Sequence, residues 1–207
     1  MSQSWNKTNC PVTVNEMIAY GAKLLKSYHK ADANIDAELL ALYILGYTKL
    51  ERIMNASKEV EKSDFSQYKE YIEKRCSGIP LQYITHEQEV MGLPFYVDQN
   101  VLIPRQDTET LVETLIEKSK LKPFKNIIEI GVGSGCISIS LAKFLPYANI
   151  VGIDISNKAL EIASKNANKN GVADQIKWIC SDLFNNYSGE KNIDLIVSNP
   201  PYITTED

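Results

Sequence analysis

Apolar residues recur at helical spacing through the first third of the chain, from residue 12 to about residue 77. The first helix is predicted directly behind a capping-box sequence at residues 13–16, and a second helix over about 36–45. A third helix follows Thr48, and a fourth begins near Ser63. Four short helices with apolar stripes predict a small bundle that has its own core.

The pattern changes after residue 78, where helical spacing gives way to strand-like segments. β-Branched and aromatic residues around Gly92 predict a hairpin over 88–103, and a helix is expected over about 110–120. Beyond residue 125, short apolar strands and amphipathic helices alternate. The strands are predicted over 127–130, 150–155, 176–180 and 193–198, and the helices over 136–145 and 156–170. This alternation implies right-handed crossovers and a parallel sheet.

The predicted fold class is therefore α/β with an added helical region. Residues 1–80 are expected to form the helical bundle, residues 81–104 a β-hairpin connector, and residues 105–207 a Rossmann-like domain. The sheet is assigned to the third region alone, because strands and helices alternate only there.

The composition of the chain limits the binding partners and the cellular compartment that are expected for it. With 22 basic and 26 acidic side chains the net charge is −4, so no overall basic field draws the chain to nucleic acid. The longest apolar stretch, residues 39–47, is too short to span a bilayer, and no signal-peptide pattern is evident. The cysteines and histidines are too scattered for a metal site or a disulfide framework: Cys10, Cys76, Cys136, Cys180, His29 and His86. A cytoplasmic protein that binds no metal, membrane or nucleic acid is expected.

The clearest ligand-binding pattern is a glycine loop (residues 131–135) between a predicted strand and a predicted helix. Gly131, Gly133 and Gly135 leave room for a ligand to approach backbone N–H groups at a helix N-terminus. Dinucleotide-binding folds use a similar turn, but their third glycine would stand at Cys136. The observed spacing, with the acidic Glu129 in front of it, favours S-adenosylmethionine over NAD. A tight turn without a ligand is the remaining alternative.

Two carboxylates follow the next two predicted strands. Asp154 ends the second strand, where a carboxylate can accept both hydroxyls of a ribose in the crevice at the carboxyl ends of the strands. This feature supports a nucleoside without choosing between NAD and S-adenosylmethionine. Asp182 follows the third strand and could accept a hydrogen bond from an adenine amino group. The alternatives are a solvated strand-end acid at either position, or an N-cap in the case of Asp182.

The fourth predicted strand runs into Asn199-Pro200-Pro201-Tyr202. Each residue before a proline is held extended, so Asn199 and Pro200 have little conformational freedom. The Asn199 carboxamide oxygen and the Pro200 carbonyl can both accept hydrogen bonds from one –NH₂ group, and Tyr202 can stack on a planar substrate. An amide nitrogen is a poor nucleophile, and two acceptors would orient its lone pair and favour the developing tetrahedral nitrogen. The motif therefore predicts methyl transfer to a planar nitrogen, against the alternative of an ordinary strand-to-loop turn.

Four motifs taken together resemble the HemK/PrmC family, the protein-(glutamine-N5) methyltransferases that modify peptide chain release factors. They are Gly78-Ile79-Pro80-Leu81-Gln82-Tyr83-Ile84, Val101-Leu102-Ile103-Pro104-Arg105 with Asp107-Thr108-Glu109, Ile130-Gly131-Val132-Gly133-Ser134-Gly135-Cys136-Ile137, and Asp194-Leu195-Ile196-Val197-Ser198-Asn199-Pro200-Pro201-Tyr202-Ile203. The Asn-Pro-Pro-Tyr motif alone is shared with nucleic-acid amino methyltransferases. Its combination with the other segments, over the whole chain, is much more specific.

The resemblance implies an S-adenosylmethionine-dependent enzyme that acts on the glutamine of the Gly-Gly-Gln loop in class 1 release factors. The bundle of residues 1–80 would recognise the release factor. Asn199, Pro200 and Tyr202 would be catalytic and, with Pro201, would hold the glutamine amide. The cofactor would be held by residues along the strand ends: Glu129, Gly131, Gly133, Gly135, Asp154, Asp182 and Asn199.

The chain departs from the family pattern at several positions. His86 stands where the family usually has Gly, Val90 where it usually has Phe, and Gln106 where Pro usually follows Ile-Pro-Arg. The first two departures bear on the local conformation of the connector, and the third bears on where the next helix begins. The resemblance assigns no role to Arg105.

The resemblance also implies a seven-stranded sheet, of which residues 1–207 would supply four strands. We therefore expect a domain that is incomplete at its C-terminus, with an uncovered strand edge and bare apolar faces. Two other functions remain open. One is a DNA or RNA base amino-methyltransferase with the same Asn-Pro-Pro-Tyr chemistry, and the other is a cofactor-binding fragment that binds a partner without turnover.

Overall fold

The computed structural model describes residues 12–189 and 191–200. Contacts divide the chain into two compact units, the first ending at Thr85 and the second beginning at His86. The finer division into residues 1–80, 81–104 and 105–207, with the hairpin as a separate connector, stays a prediction.

The first unit is a helical bundle with a small two-stranded ribbon. Its elements are α1 (Val14–Ser27), α2 (Ala33–Leu45), α3 (Lys49–Met54), α4 (Lys62–Cys76) and α5 (Leu81–Thr85), with β1 (Val12–Thr13) paired antiparallel to β2 (Glu59–Val60). The four predicted helices are present, and the predicted capping box opens α1. Helix α5 and the ribbon were not predicted, because elements of five and two residues are too short to produce a hydrophobic period.

The core of this unit closes around Tyr68 on α4, whose side chain is fully buried. Its hydroxyl donates to the Ala37 carbonyl on α2 at 3.0 Å. A Cβ atom at Gly21 on α1 would lie only 2.1 Å from the Tyr68 hydroxyl oxygen. Glycine inside a helix is normally unfavourable, and here it allows α4 to approach α1.

The second unit contains a hairpin followed by an α/β domain. Its elements are β3 (Glu87–Val90), β4 (Leu93–Tyr96), α6 (Gln106–Leu121), β5 (Asn126–Ile130), α7 (Cys136–Phe144), β6 (Asn149–Asp154), α8 (Asn157–Asn170), a short 3₁₀ turn (Ala173–Gln175), β7 (Ile176–Cys180) and β8 (Leu195–Ser198). The hairpin and all four strands predicted for the sheet are present. The predicted α/β fold class is confirmed.

Helix α6 begins at Gln106 rather than near residue 110, so the predicted start was wrong. Arg105 takes the extended N-cap conformation, and Asp107 and Glu109 lie in the first turn. Acidic side chains there complement the positive end of the helix dipole, which is a reason for the earlier start. The proline that the family usually has at position 106 is therefore not needed to begin this helix.

The four strands form one parallel sheet in the order β7-β6-β5-β8. Ile130 at the end of β5 pairs with Ile153 of β6 on one side and with Ser198 of β8 on the other. Asp154, which ends β6, pairs with Cys180 at the end of β7. The carboxyl ends of all four strands therefore meet at one edge of the sheet.

Both faces of the sheet are covered at its centre, where Ile128 and Ile153, on the face opposite Ile127, are also buried, and the faces differ at β8. On one face Ile127, Ile150 and Val197 are buried in a core that also contains apolar residues of the hairpin, α6 and α7. On the opposite face Ile196 of β8 is 57% exposed. Within residues 12–189 and 191–200, β8 pairs with β5 alone. In the described part of the chain β8 is thus an edge strand with an exposed apolar side chain, and the expected incompleteness at the C-terminus stays a prediction.

Candidate active site

The predicted site residues lie in one row along the carboxyl edge of the sheet. In the order of the strands, Asp182 follows β7, Asp154 ends β6, the glycine loop follows β5, and Asn199 follows β8. Neighbouring strands lie about 4.8 Å apart, so the row is roughly 14 Å long. A row of this length suits an extended ligand. A cavity at its β5–β8 end is lined by the glycine loop, Glu129, the first turn of α6 and Asn199.

Two of the three glycines in the loop face open space. Gly131 has a left-handed φ of +75° and Gly133 one of +54°, and a Cβ atom at either position would meet no atom within 4 Å. Both residues line the cavity. Their backbone conformation favours glycine, and the missing side chains leave a cradle beside the strand ends.

The third glycine of the loop has different surroundings. Gly135 has a φ of +81°, and a Cβ atom there would lie 3.0 Å from both Ala163 Cβ on α8 and Ile139 Cδ1 on α7. Its N–H donates to the Val132 carbonyl at 2.9 Å. Gly135 therefore allows α7 and α8 to pack closely, and its contact with a cofactor stays a prediction.

Glu129 is a buried carboxyl in the cavity wall, only 1% exposed. Its Oε2 accepts hydrogen bonds from the Ser138 backbone N–H, at 2.9 Å, and from the Ser138 hydroxyl. Since Ser138 lies in the first turn of α7, the Glu129 side chain caps that helix. Burial raises the pKa of the Glu129 carboxyl to about 8, although the Ser138 hydrogen bonds act to lower it. The Glu129 carboxyl in the cavity wall is therefore expected to change from neutral to negatively charged near pH 8.

Asp154 connects the glycine loop to the start of α8. Its Oδ2 accepts the Gly133 N–H at 2.9 Å, and its Oδ1 accepts the Ser156 N–H at 2.9 Å. Each carboxylate oxygen has a second acceptor position, so both oxygens can still accept a hydroxyl group. The carboxylate predicted to bind a ribose is therefore held from two sides by backbone groups.

Asp182 lies at the far end of the row, in an exposed loop after β7. The next residue, Leu183, has a left-handed φ of +48° and is 59% exposed. Ile155, which follows Asp154, is also exposed. Left-handed φ values are uncommon for residues other than glycine, and such strain concentrates at functional sites. Leu183 and Ile155 were not predicted as site residues. The sequence signal that could have indicated them is an apolar residue directly after each acid at the strand ends.

Asn199 stands just beyond β8 and lines the cavity together with Pro200. Its side-chain Nδ2 donates to the Thr108 hydroxyl oxygen at 2.9 Å. Because this contact engages the nitrogen end of the carboxamide, the Oδ1 atom is the end left to accept from a ligand. Pro201 and Tyr202 lie outside the described residues. Their roles, and that of the Pro200 carbonyl, stay predictions.

The first turn of α6 connects the cavity to the hairpin. Thr108 is buried, while Arg105 and Asp107 are exposed at the cavity rim. The Glu109 Oε1 atom accepts the Met91 N–H in the hairpin turn at 2.7 Å. No individual roles were predicted for Thr108 and Glu109, because both contacts join parts of the chain that are distant in sequence.

A buried asparagine on α8 joins the hairpin to the glycine loop. Asn166 is fully buried, and its Oδ1 accepts the Tyr96 N–H at 2.7 Å. Its Nδ2 donates to the carbonyls of Tyr96, at 3.0 Å, and of Ser134, at 2.9 Å. One side chain thus satisfies three backbone groups and fixes the loop against the hairpin. No sequence pattern pointed to Asn166.

In the part of the chain that the structure describes, no three His, Cys, Asp or Glu side chains are grouped so that they could hold a metal ion. None of the helices in that part is both long and apolar enough to cross a bilayer. The acidic side chains nearest the glycine loop, Glu129 and Asp154, bind backbone N–H groups instead.

Comparison with protein families gives two matches that together cover most of the chain. Residues 16–85 match the family model described as PrmC N-terminal domain, and residues 105–207 match that of the Methyltransferase small domain. The Release factor glutamine methyltransferase of Koribacter versatilis is 34% identical over 192 residues, which cover 93% of this chain and 68% of that protein. The chain belongs to the release factor glutamine methyltransferase family.

A second member of this family, from Clostridium acetobutylicum, is 37% identical over 174 residues, which cover 83% of this chain and 61% of that protein. The chain thus spans about two thirds of the length of these relatives. Among solved structures, the ribosomal protein L11 methylase of Lactobacillus delbrueckii subsp. bulgaricus is 28% identical, with a TM-score of 0.42 over 50% of this chain and 51% of that chain.

The backbone conformation at position 86 explains why release factor glutamine methyltransferases usually have a glycine there. His86 has a left-handed φ of +58°, which favours glycine. Its ring stacks on Tyr96 with a centroid distance of 5.2 Å, and its Nδ1 is 3.0 Å from the Val97 carbonyl oxygen. Val90, at the family's usual Phe position, is buried in the same core as Phe95. Local contacts thus accommodate both departures.

The site fits S-adenosylmethionine, the methyl donor of this family. The cradle at Gly131 and Gly133 has free space where side chains would otherwise stand. The Asp154 carboxylate retains acceptor positions, and exposed apolar side chains flank it. An extended nucleoside with an amino acid attached needs this combination of cradle, acceptors and apolar surface.

Proposed function

We propose that this chain transfers a methyl group from S-adenosylmethionine to the side-chain amide nitrogen of the glutamine in the Gly-Gly-Gln motif of class 1 peptide chain release factors, and thereby supports translation termination. The observation that carries this proposal is the Asn199 carboxamide in the cavity wall, with its nitrogen bound to Thr108 and its oxygen available. The reaction implies a cytoplasmic protein with a protein substrate. Direct contact with nucleic acid is not needed, in keeping with the net charge of −4.

The cofactor would lie along the row of strand ends. Asp154 would accept the ribose hydroxyls, and Asp182 the adenine amino group, with Leu183 beside the ring. Gly131 and Gly133 would admit the methionine part, close to the Glu129 wall of the cavity. When bound, S-adenosylmethionine supplies a methyl group made electrophilic by a positively charged sulfur.

The residues after β8 would bind and orient the substrate amide. The Asn199 Oδ1 atom and the Pro200 carbonyl would each accept one hydrogen of the glutamine –NH₂ group. Two fixed acceptors direct the nitrogen lone pair away from themselves and favour the partial positive charge that develops on this nitrogen. Tyr202 would stack on the planar amide, and Pro201 would hold the turn. The nitrogen would gain the methyl group as the bond between that methyl and sulfur breaks, leaving a neutral sulfide, and it would then release one proton to solvent. Positioning and electrostatics, rather than a strong base, account for the proposed rate enhancement.

Asn199→Ala is expected to lower methyl transfer by roughly 100- to 1,000-fold, because one acceptor for the substrate amide is lost. Intact-mass measurement of an unmethylated release factor, incubated with the chain and S-adenosylmethionine, reports this directly. Calorimetric titration should show a much smaller loss of affinity for S-adenosylmethionine than of methyl transfer, since Asn199 is only one of several residues expected to hold the cofactor. Methylation of a nucleic acid instead, or equal methylation by the variant, would contradict the proposal.

The helical bundle is proposed to recognise the release factor. Leu50, Ile53 and Met54 lie on one face of the short helix α3 and are 66%, 64% and 76% exposed. Arg52 of the same helix has its Nε atom 3.1 Å from Glu38 Oε1 of α2. Exposed apolar side chains grouped on one face of a helix are typical of a protein-binding surface.

Ile53→Asp is expected to raise the KM for an intact release factor about tenfold without changing kcat, because a charge replaces an apolar contact. A short Gly-Gly-Gln peptide, which lacks the rest of the release factor, should react equally with both chains. Leu121→Asp is the matched control, since Leu121 is 91% exposed on the other unit. An unchanged KM for the intact release factor would exclude this face of α3 as the docking surface.

A further inference from the structure

The contact between Thr108 and Asn199 links two parts of the second unit that are distant in sequence. Thr108 lies in the first turn of α6 and is only 3% exposed. Its hydroxyl oxygen is 2.9 Å from Asn199 Nδ2. Both residues line the cavity beside the glycine loop. The hydroxyl is therefore placed to act on the group that would receive the substrate.

A carboxamide has a donor end and an acceptor end of almost the same shape. If the Asn199 side chain rotated by half a turn, its –NH₂ group would face the –NH₂ group of the substrate, and two donors would meet. The contact with Thr108 holds the carboxamide at one place in the cavity wall, and in the arrangement observed the hydroxyl accepts from Nδ2. This arrangement leaves Oδ1 free to accept from the substrate.

We propose that Thr108 is a positioning residue that holds the Asn199 carboxamide in the cavity wall, in the arrangement in which Oδ1 faces the substrate. This inference rests on the proposed function. It gives helix α6 a role in the reaction without a contact between Thr108 and the substrate. Thr108 acts through Asn199 alone.

The first turn of α6 is well suited to this role because it is held at several points. The Thr108 N–H donates to the Arg105 carbonyl at 3.0 Å. The adjacent Glu109 side chain accepts the Met91 N–H of the hairpin at 2.7 Å. A Thr side chain in a helix is largely restricted to two χ1 rotamers, so few positions are open to the hydroxyl.

The test compares Thr108→Val, which keeps the shape and removes the hydroxyl, with Thr108→Ser, which keeps the hydroxyl. Thr108→Val is expected to lower kcat roughly 10- to 100-fold, with the affinity for S-adenosylmethionine unchanged. Thr108→Ser should retain most of the wild-type kcat. Thr110→Val is the matched control, since Thr110 is exposed on the same helix and bonds to the Gln106 carbonyl. Wild-type kcat in Thr108→Val would overturn the proposal.

A second measurement decides the question without turnover. In the wild-type chain the side-chain –NH₂ protons of Asn199 should show slowed exchange with solvent by nuclear magnetic resonance. This protection should disappear in Thr108→Val and persist in Thr108→Ser and Thr110→Val. Absence of methyl transfer by the wild-type chain would count against the proposed function, whereas equal protection in Thr108→Val would count against the role of Thr108.

Discussion

The difference in the free energy of unfolding between Glu129→Gln and the wild-type chain is expected to change with pH. Between pH 4.5 and pH 8 it should shift by about 5 kcal/mol in favour of the variant. Burial raises the pKa of the Glu129 carboxyl from 4.5 to about 8. Between these values the unfolded chain has lost the proton while the folded chain still holds it, so the stability of the wild-type chain falls as pH rises. Above pH 8 both states are ionised and the difference levels off. Glutamine does not titrate and removes this dependence.

Urea unfolding of the two chains at several pH values from about 5 to 9 checks this prediction. The quantity to follow is the difference in unfolding free energy between variant and wild type. Titrating groups other than Glu129 contribute equally to both chains, so their contributions cancel in this difference. Glu113→Gln, at an exposed position on α6, provides the control and should give a nearly constant difference. A constant difference for Glu129→Gln as well would mean that this carboxyl is ionised in the folded chain throughout the range.

Asn166→Ala is expected to lower the free energy of unfolding by about 3–4 kcal/mol. Alanine cannot satisfy the Tyr96 N–H or the carbonyls of Tyr96 and Ser134, and Asn166 is fully buried. Because Ser134 belongs to the glycine loop, the affinity for S-adenosylmethionine should also fall. Denaturant unfolding followed by tryptophan fluorescence measures the first effect, and calorimetric titration the second.

The matched control for this substitution is Asn168→Ala. Asn168 is an exposed asparagine on the same helix, and its side chain donates to the Ser164 carbonyl one turn earlier. Its replacement should change the unfolding free energy by less than about 0.5 kcal/mol, as is usual for surface positions. Similar losses for both variants would indicate an effect on helix α8 itself rather than on the contact between hairpin and loop.

The sequence predicted those parts of the site that depend on local chain geometry. A glycine pattern between a strand and a helix, and acids or Asn199 directly behind strands, can be recognised within a few residues. Once the sheet is parallel, these segments must meet at its carboxyl edge. The order of the strands along that edge was not predicted, because a sequence pattern locates each strand but does not show which strands pair with it.

The parts that were missed depend on tertiary contacts between polar side chains. Thr108 and Asn166 have partners far away in the sequence, and a buried Thr or Asn resembles any other polar residue in a helix. Gly135 shows the converse case, since a regular motif suggested one role for all three glycines of the loop. A Cβ atom at Gly135 would crowd Ala163 of α8, so this glycine has a packing role that the motif did not indicate, and its contact with a cofactor stays a prediction.

The attachment of Asp154 to two backbone N–H groups has a consequence for the thermodynamics of ligand binding. A side chain that must be ordered on binding typically costs about 0.5–1.5 kcal/mol in lost rotamer freedom. Asp154 is already fixed through Gly133 and Ser156 before a ligand arrives. A nucleoside that uses its remaining acceptor positions would therefore incur little of this entropic cost, and the hydrogen bonds formed there would contribute to affinity almost undiminished.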